Sequence, residues 1–275
     1  MAPLRKRTTM SFSLWAGLVI TGFIMLLALL GPLLPLPTFD QMDVLARLMP
    51  PNAAHWLGTD EFGRDVLSRM IYGSRLSLIL GIGATAVSLL IGVPAGLLAG
   101  YYRGRVDEVV MRFVDLMISV PPILMGMLIL AMTTPNLTKL VIAVGLVYVP
   151  VIVRLTRGLA LNVGQEEFVQ AARVRGENLF YILFAEILPN VLPAVSVEAA
   201  LRVSFAMMLG AALSFLGLGI HPPSSDWGLM IAEARPLLDT APWIVLAPGV
   251  ALSLTVIGIN LLGDGLRHRF DQRVN

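Results

Sequence analysis

The chain is 275 residues long, 56% hydrophobic and only 14% charged, with a formal net charge of +2 and a mean hydropathy of +0.80. A soluble globular domain carries about 25% charged residues, so this composition excludes one and makes the membrane span the unit of organisation. The lack of cysteine excludes disulfides, thiolate metal sites and a cysteine nucleophile, and neither Lys6 nor Lys139 stands in a G-x-x-x-x-G-K-[ST] loop, so nucleotide energy has to come from a partner.

A charge at mid-bilayer costs at least about 2.5 kcal/mol on insertion scales, so apolar helices end near charges. The first charge-free interval lies between Arg7 and Asp40. Its apolar run, Ser11 to Leu34, exceeds the hydrophobic region of a signal peptide and no A-x-A-like site follows, which predicts an uncleaved first span. Pro32, Pro35, Pro37, Pro50 and Pro51 then impose an irregular connection outside the hydrocarbon, and residues 35–75 form the largest extracytoplasmic segment. The chain is accordingly divided into residues 1–74 and a core of residues 75–275. Within the first part, His55 to Leu78 reads as an interfacial helix with Thr59 as N-cap. Phe62, Val66, Leu67, Met70 and Ile71 share one face, and the i, i+4 pairs Asp60–Arg64 and Asp65–Arg69 another. Asp60, Glu61, Arg64 and Asp65 are candidates for docking an extracytoplasmic partner; the alternative is a structural element lying on the bilayer.

The second interval, Arg75 to Arg103, contains Gly81, Gly83, Gly92 and Gly96 with Ala84, Ala95 and Ala99, which suit close helix contact. Further intervals run from Asp115 to Lys139, Arg202 to Asp226 and Asp239 to Asp264. A sixth candidate, from about Pro135 to Arg157, is uncharged only over Leu140–Val153 and is interrupted by Pro150. The expected fold is all-α with six transmembrane helices. With both termini in the cytoplasm, thirteen basic residues fall inside and six outside, as the positive-inside rule requires.

Residues 159–190 are too charged for lipid and too apolar for a plain linker. Gly176 divides them into two helix-sized pieces, and Pro189 and Pro193 mark the start of the next span. Such a segment suits docking of a second protein, or packs on its own bundle. Beyond Pro189, Glu198 and Arg202 stand i, i+4 inside the fifth span, a candidate pore-lining or structural intramembrane pair. His55, His221 and His268 are too scattered for a shared metal site, and the 14 methionines read as packing. No nucleophile with a base and no carboxylate pair for hydrolysis is present, so no enzymatic activity is expected.

The block QAARVRG (Gln170–Gly176), followed by ILP (Ile187–Pro189), resembles the EAA loop of the membrane subunits of binding-protein-dependent ABC importers. HWLGTDEFGRDVLSR at 55–69, LSFLGLGIHPPSSDWG at 213–228 and NLLGDGLRHRFD at 260–271 resemble the dipeptide, oligopeptide and nickel branch of that family. The resemblance implies a type-1 importer permease core in the bacterial inner membrane, with the EAA loop as a coupling helix seated on a cytoplasmic ATPase. It implies as partners a homologous second permease, two ATPase subunits that carry ATP and magnesium, an extracytoplasmic solute-binding protein and membrane lipid, with no nucleic acid and no cofactor on this chain. Carried onto this sequence, the coupling residues are Gln170, Ala171, Ala172 and Gly176, with Glu166, Glu167, Arg173, Arg175, Leu188 and Pro189 beside them. Gln170 stands where the motif has an acidic residue, and Glu186 where the family often has isoleucine. Short peptides are the cargo that these blocks imply; nickel or its chelates, glutathione, opines and peptide antibiotics are alternatives. An ion-gradient-driven secondary transporter would instead show acidic or histidine relays in inverted repeats.

Overall fold

The computed structural model describes residues 12–132, 134 and 136–274; Arg5, Lys6, Arg7 and Pro135, which the sequence argument used, lie outside them. Helix α1 (Phe12–Leu30) ends in a 3-10 turn at Gly31–Leu33. Residues 34–65 are irregular apart from a 3-10 turn at Val44–Ala46 and an isolated bridge between Thr59 and Asp65. Helix α2 (Val66–Tyr102) starts at Asp65, whose carboxylate accepts the Ser68 N–H at 2.8 Å.

The N-cap expected at Thr59 therefore lies six residues later, at Asp65. Gly58 and Gly63 have φ of 73° and 74°, and the Asp60 carboxylate accepts the N–H groups of Phe62 and Arg64, each at 2.9 Å. That side-chain competition for backbone donors favours a turn over a helix. The division after residue 74 is not a boundary either, because α2 runs through it unbroken.

Left-handed backbone at Arg103 and Gly104 reverses the chain into α3 (Gly104–Ser119). A 93° bend at Val120–Pro121 leads to α4 (Pro122–Ala131), so the third expected span is a broken pair rather than one rod. Pro121 lacks a donor and holds Val120 extended, at φ −93° and ψ 128°. Helix α5 (Leu137–Val163), capped by the Asn136 side chain, is continuous through Pro150. The short α6 (Glu167–Val174) follows, then α7 (Leu179–Tyr181), a π-helical turn at Ile182–Ile187 and α8 (Leu188–Phe215), which together form one stretch long and apolar enough to span. Pro189 stands in the first turn of α8, at the expected start, although helical backbone already leads into it from Leu179, and Pro193 lies inside the helix. Pro189 has no N–H to donate, and the widened turn before it absorbs the loss. Helix α9 (Trp227–Ala234) and a 3-10 turn at Arg235–Leu237 lead to α10 (Pro242–Val274). Among the described residues, five helical stretches can cross a bilayer, and the bent α3–α4 pair makes a sixth.

Small residues set the packing, since lipid is as apolar as leucine and helices in it associate by close fit. Along α2, a Cβ added at Gly92 would stand 2.7 Å from Ile152, and one at Gly96 2.7 Å from Val153 O and Thr156. One at Gly100 would stand 2.7 Å from Ala160. This fit against α5 holds the Pro150 region helical despite the missing hydrogen bond. Gly17 of α1 approaches the backbone of α10 in the same way, and Gly258 of α10 approaches Ile20 and Thr21. Four apolar clusters result among the described residues, the smallest of them Val114 of α3 against Val149 and Val153 of α5. Of the others, one joins α1, α2, α8, α9 and α10; a second joins α2, α4, α5 and α8; the third lies where α2 and α5 end.

Candidate functional site

Helix α6 lies at the end of the bundle where α2 and α5 terminate. Val169 and Ala172 are its buried residues, inserted among Leu97 of α2, Ala160 of α5, Ile182, Leu183 and Ile187 of the π turn, and Val191 of α8. Its other face is exposed: Glu166, Glu167, Gln170, Ala171, Arg173 and Arg175, with Phe168 and Val174 adding apolar surface and Phe180 beside them. Gly176 ends the helix at φ +79°, its N–H bonded to Arg173 O at 3.0 Å and the Glu177 N–H to Ala172 O at 3.2 Å. Paired terminal bonds of this kind need a left-handed residue, for which glycine is favoured. A Cβ there would meet nothing within 4 Å, so the requirement is backbone conformation rather than space.

The ten sequence-derived coupling residues thus fall into distinct roles. Ala171 faces out, whereas Ala172 faces in and fastens the helix. Gln170 Nε2 donates to Gly164 O at 3.0 Å and ties α6 to the end of α5. The Arg173 guanidinium lies 4.5 Å from the centre of the Tyr101 ring. Arg175 stands 3.4 Å from Glu177 and 3.5 Å from Glu186. Leu188 packs on the same apolar cluster, and Pro189 is exposed. Sequence reasoning passed over the pairs that brace this end: Arg157 with Asp107, including an NH2–Oδ2 bond of 2.6 Å, and Arg154 with Asp115 at 2.6 Å. Both join α3 to α5 at separations of 39 and 50 residues, which no local pattern signals.

At the opposite end of α2, the expected docking residues are mostly interior. Asp60, Arg64 and Asp65 are buried, and only Glu61 is partly open. Asp60 Oδ2 lies 2.6 Å from Arg64 Nε and 2.7 Å from Arg69 NH1, and Arg69 NH2 donates to Glu233 of α9 at 2.8 Å. The expected Asp65–Arg69 pair does not form; Asp65 caps α2 and meets His55 Nδ1 at 2.9 Å. These charges therefore close the fold by joining residues 55–65 to α9, which corrects their reading as a docking surface. Burial pushes the Glu61 carboxyl up, opposed by its backbone hydrogen bond. Burial also pushes up Asp226, the N-cap of α9, which accepts from Leu229 N and Ser214 Oγ at 2.9 Å. The sequence signal for that cap was the Asp-Trp-Gly run, quoted above only for its resemblance.

Glu198 and Arg202 are half-buried on α8, with Arg202 Nε 2.7 Å from Glu198 Oε1. The structure brings them to each other and not to the α6 end.

Residues 92–275 match the family described as binding-protein-dependent transport system inner membrane component. The chain belongs to this family. It is 40% identical over 258 residues to the dipeptide transport system permease protein DppC of Alkalihalophilus pseudofirmus, covering 94% of this chain and 85% of that one. It is 39% identical to the probable D,D-dipeptide transport system permease protein DdpC of Escherichia coli strain K12, over 93% and 86% of the two chains. It is 41% identical to the glutathione transport system permease protein GsiD of Pectobacterium atrosepticum, over 82% and 74%. Among solved structures, the inward-facing MetNI methionine ABC transporter matches with a TM-score of 0.63 at 18% identity, covering 76% of this chain and 97% of that one, a likeness of fold. The chain is thus a multi-pass inner-membrane permease subunit of an ABC importer, a transport subunit and not an enzyme, and works with an ATPase and a substrate-binding protein.

Proposed function

We propose that this permease forms half of a translocation path for short peptides and is driven through α6 by one of two cytoplasmic ATPase subunits, which bind the ATP and magnesium. A homologous permease supplies the other half. The observation that carries the reading is the two-sided character of α6: Val169 and Ala172 are locked into a cluster shared by α2, α5 and α8, while Glu167, Gln170, Ala171 and Val174 face away from the bundle. A rigid body docked on the outer face cannot move α6 without moving the three long helices behind it. Closure of the two ATPases on ATP would draw the paired α6 helices together and turn the permeases from inward-facing to outward-facing.

The α6 end lies in the cytoplasm in this reading, in line with Arg154, Arg157, Arg173 and Arg175 clustered there. Residues 34–65 then face outward, where a solute-binding protein delivers cargo. Peptide cargo is supported by the dipeptide names of the relatives.

A photocrosslinker placed at Ala171 in native membranes is expected to capture the ATPase subunit, and one at Pro189 to do so weakly. Capture of no ATPase from Ala171, or labelling of α6 from outside intact cells, would refute the coupling role.

A further inference from the structure

Glu198 and Arg202 lie deep in a membrane-spanning stretch, Leu179–Phe215. Ten residues, or about 15 Å, separate Leu188 from Glu198, and thirteen, or about 20 Å, separate Arg202 from Phe215. Ionisable groups at such depth do not face hydrocarbon; they face water or another protein surface. Yet this pair is not sealed by its own chain, with Glu198 21% and Arg202 16% exposed. Phe205 and Met208 continue the same open stripe of α8 at 45% and 50% exposure.

The way the pair is held is equally informative. Arg202 Nε is 2.7 Å from Glu198 Oε1 without an aligned hydrogen bond, so the contact is coulombic rather than directional. The guanidinium is positioned independently, 4.7 Å from the Phe205 ring centre and 5.5 Å from that of Tyr148, whose hydroxyl donates to Phe205 O at 3.1 Å.

We propose that this pair reads the two terminal charges of a peptide in transit, Glu198 taking the ammonium and Arg202 the carboxylate, and closes on itself when the path is empty. The proposal rests on the importer reading above and adds the residues that recognise cargo within the membrane. The dimensions agree: four helical residues advance about 6 Å, and two extended peptide residues span at most about 7 Å. A cargo of one sign would engage one member of the pair and leave the other without a partner.

The test uses the complete importer in proteoliposomes, with ATP on the ATPase side and binding protein saturated with dialanine, dialanine amide or N-acetyl-dialanine. Arg202→Gln should slow dialanine import at least tenfold yet leave dialanine amide import at the rate of the unmodified importer, since that cargo has no carboxylate to lose. Glu198→Gln should show the mirror pattern with N-acetyl-dialanine. Such non-additivity is the signature of a direct contact. Equal losses on all cargoes, or no loss on dialanine, would overturn the proposal. Assembly is read separately by co-purification of the ATPase. If both glutamine variants fail to assemble and the double exchange Glu198→Arg with Arg202→Glu restores assembly, the pair is structural and the proposal falls. Absence of ATP-driven dialanine import by the unmodified complex would instead refute peptide cargo for the importer, a distinguishable result.

Discussion

Replacing Gly96 by alanine tests the packing that joins α2 to α5. The new methyl would stand 2.7 Å from Val153 O and Thr156 Cβ and 3.0 Å from Arg157 N. Carbon contacts are most favourable at about 3.5–4.0 Å, so α5 has to retreat by about 1 Å, and two of the three atoms belong to its backbone and cannot rotate aside. Overpacking of this kind costs about 1–3 kcal/mol. Alanine also gains up to about 1 kcal/mol over glycine in helix propensity, which would obscure the result. Gly22 in α1 removes that ambiguity, because a methyl there meets nothing within 4 Å while the propensity gain is shared. The difference between Gly96→Ala and Gly22→Ala therefore isolates the packing penalty, at about 1–3 kcal/mol. Denaturant unfolding of the purified chain, followed by tryptophan fluorescence, measures it. Equal stabilities for the two variants would refute the claim that backbone approach at Gly96 is limiting.

Cysteine at Ala171 is expected to react with a water-soluble maleimide in the isolated permease, and cysteine at Ala172 to stay protected, because only the second side chain is buried; equal labelling rates would contradict the orientation of α6. Asp60→Ala leaves Arg64 and Arg69 short of a buried counter-charge and should cost about 3–5 kcal/mol, whereas Glu108→Ala, which breaks an exposed pair with Arg112, should cost under about 1 kcal/mol in the same unfolding assay. Burial raises Asp226 in the folded state, so folding favours its protonated form. Its contribution to stability is greatest below the ordinary aspartate value, declines as pH climbs to the raised value and is level above it. Asp226→Asn, which keeps the N-cap, should lose this slope and be no less stable than the unmodified chain at neutral pH, as melting temperatures across the acid range will show.

Composition alone determined that this chain is a membrane protein. The charge-free intervals placed α1, α2 and α10, because the price of a charge in hydrocarbon is read directly from one dimension. The blocks at Gln170–Gly176 and Ile187–Pro189 likewise located α6 before any coordinates. Other decisions needed the neighbours. Pro150 was expected to interrupt a helix and did not, since α2 packs against that region; Pro121 ends α3 by holding Val120 extended. Asp60, Arg64 and Asp65 read as surface charge, but Glu233 and His55, from elsewhere in the chain, complete a buried network around them. Ala171 and Ala172 are identical in sequence terms and differ only in which way α6 is turned. The network at Asp60 and the orientation of α6 lie outside the spans and were decided by contacts distant in sequence; for the spans themselves the reason lies in the solvent. In lipid the outside of a helix is as apolar as its inside, so the amphipathic rhythm that reveals a buried face in a soluble protein is absent, and only packing decides which side is covered.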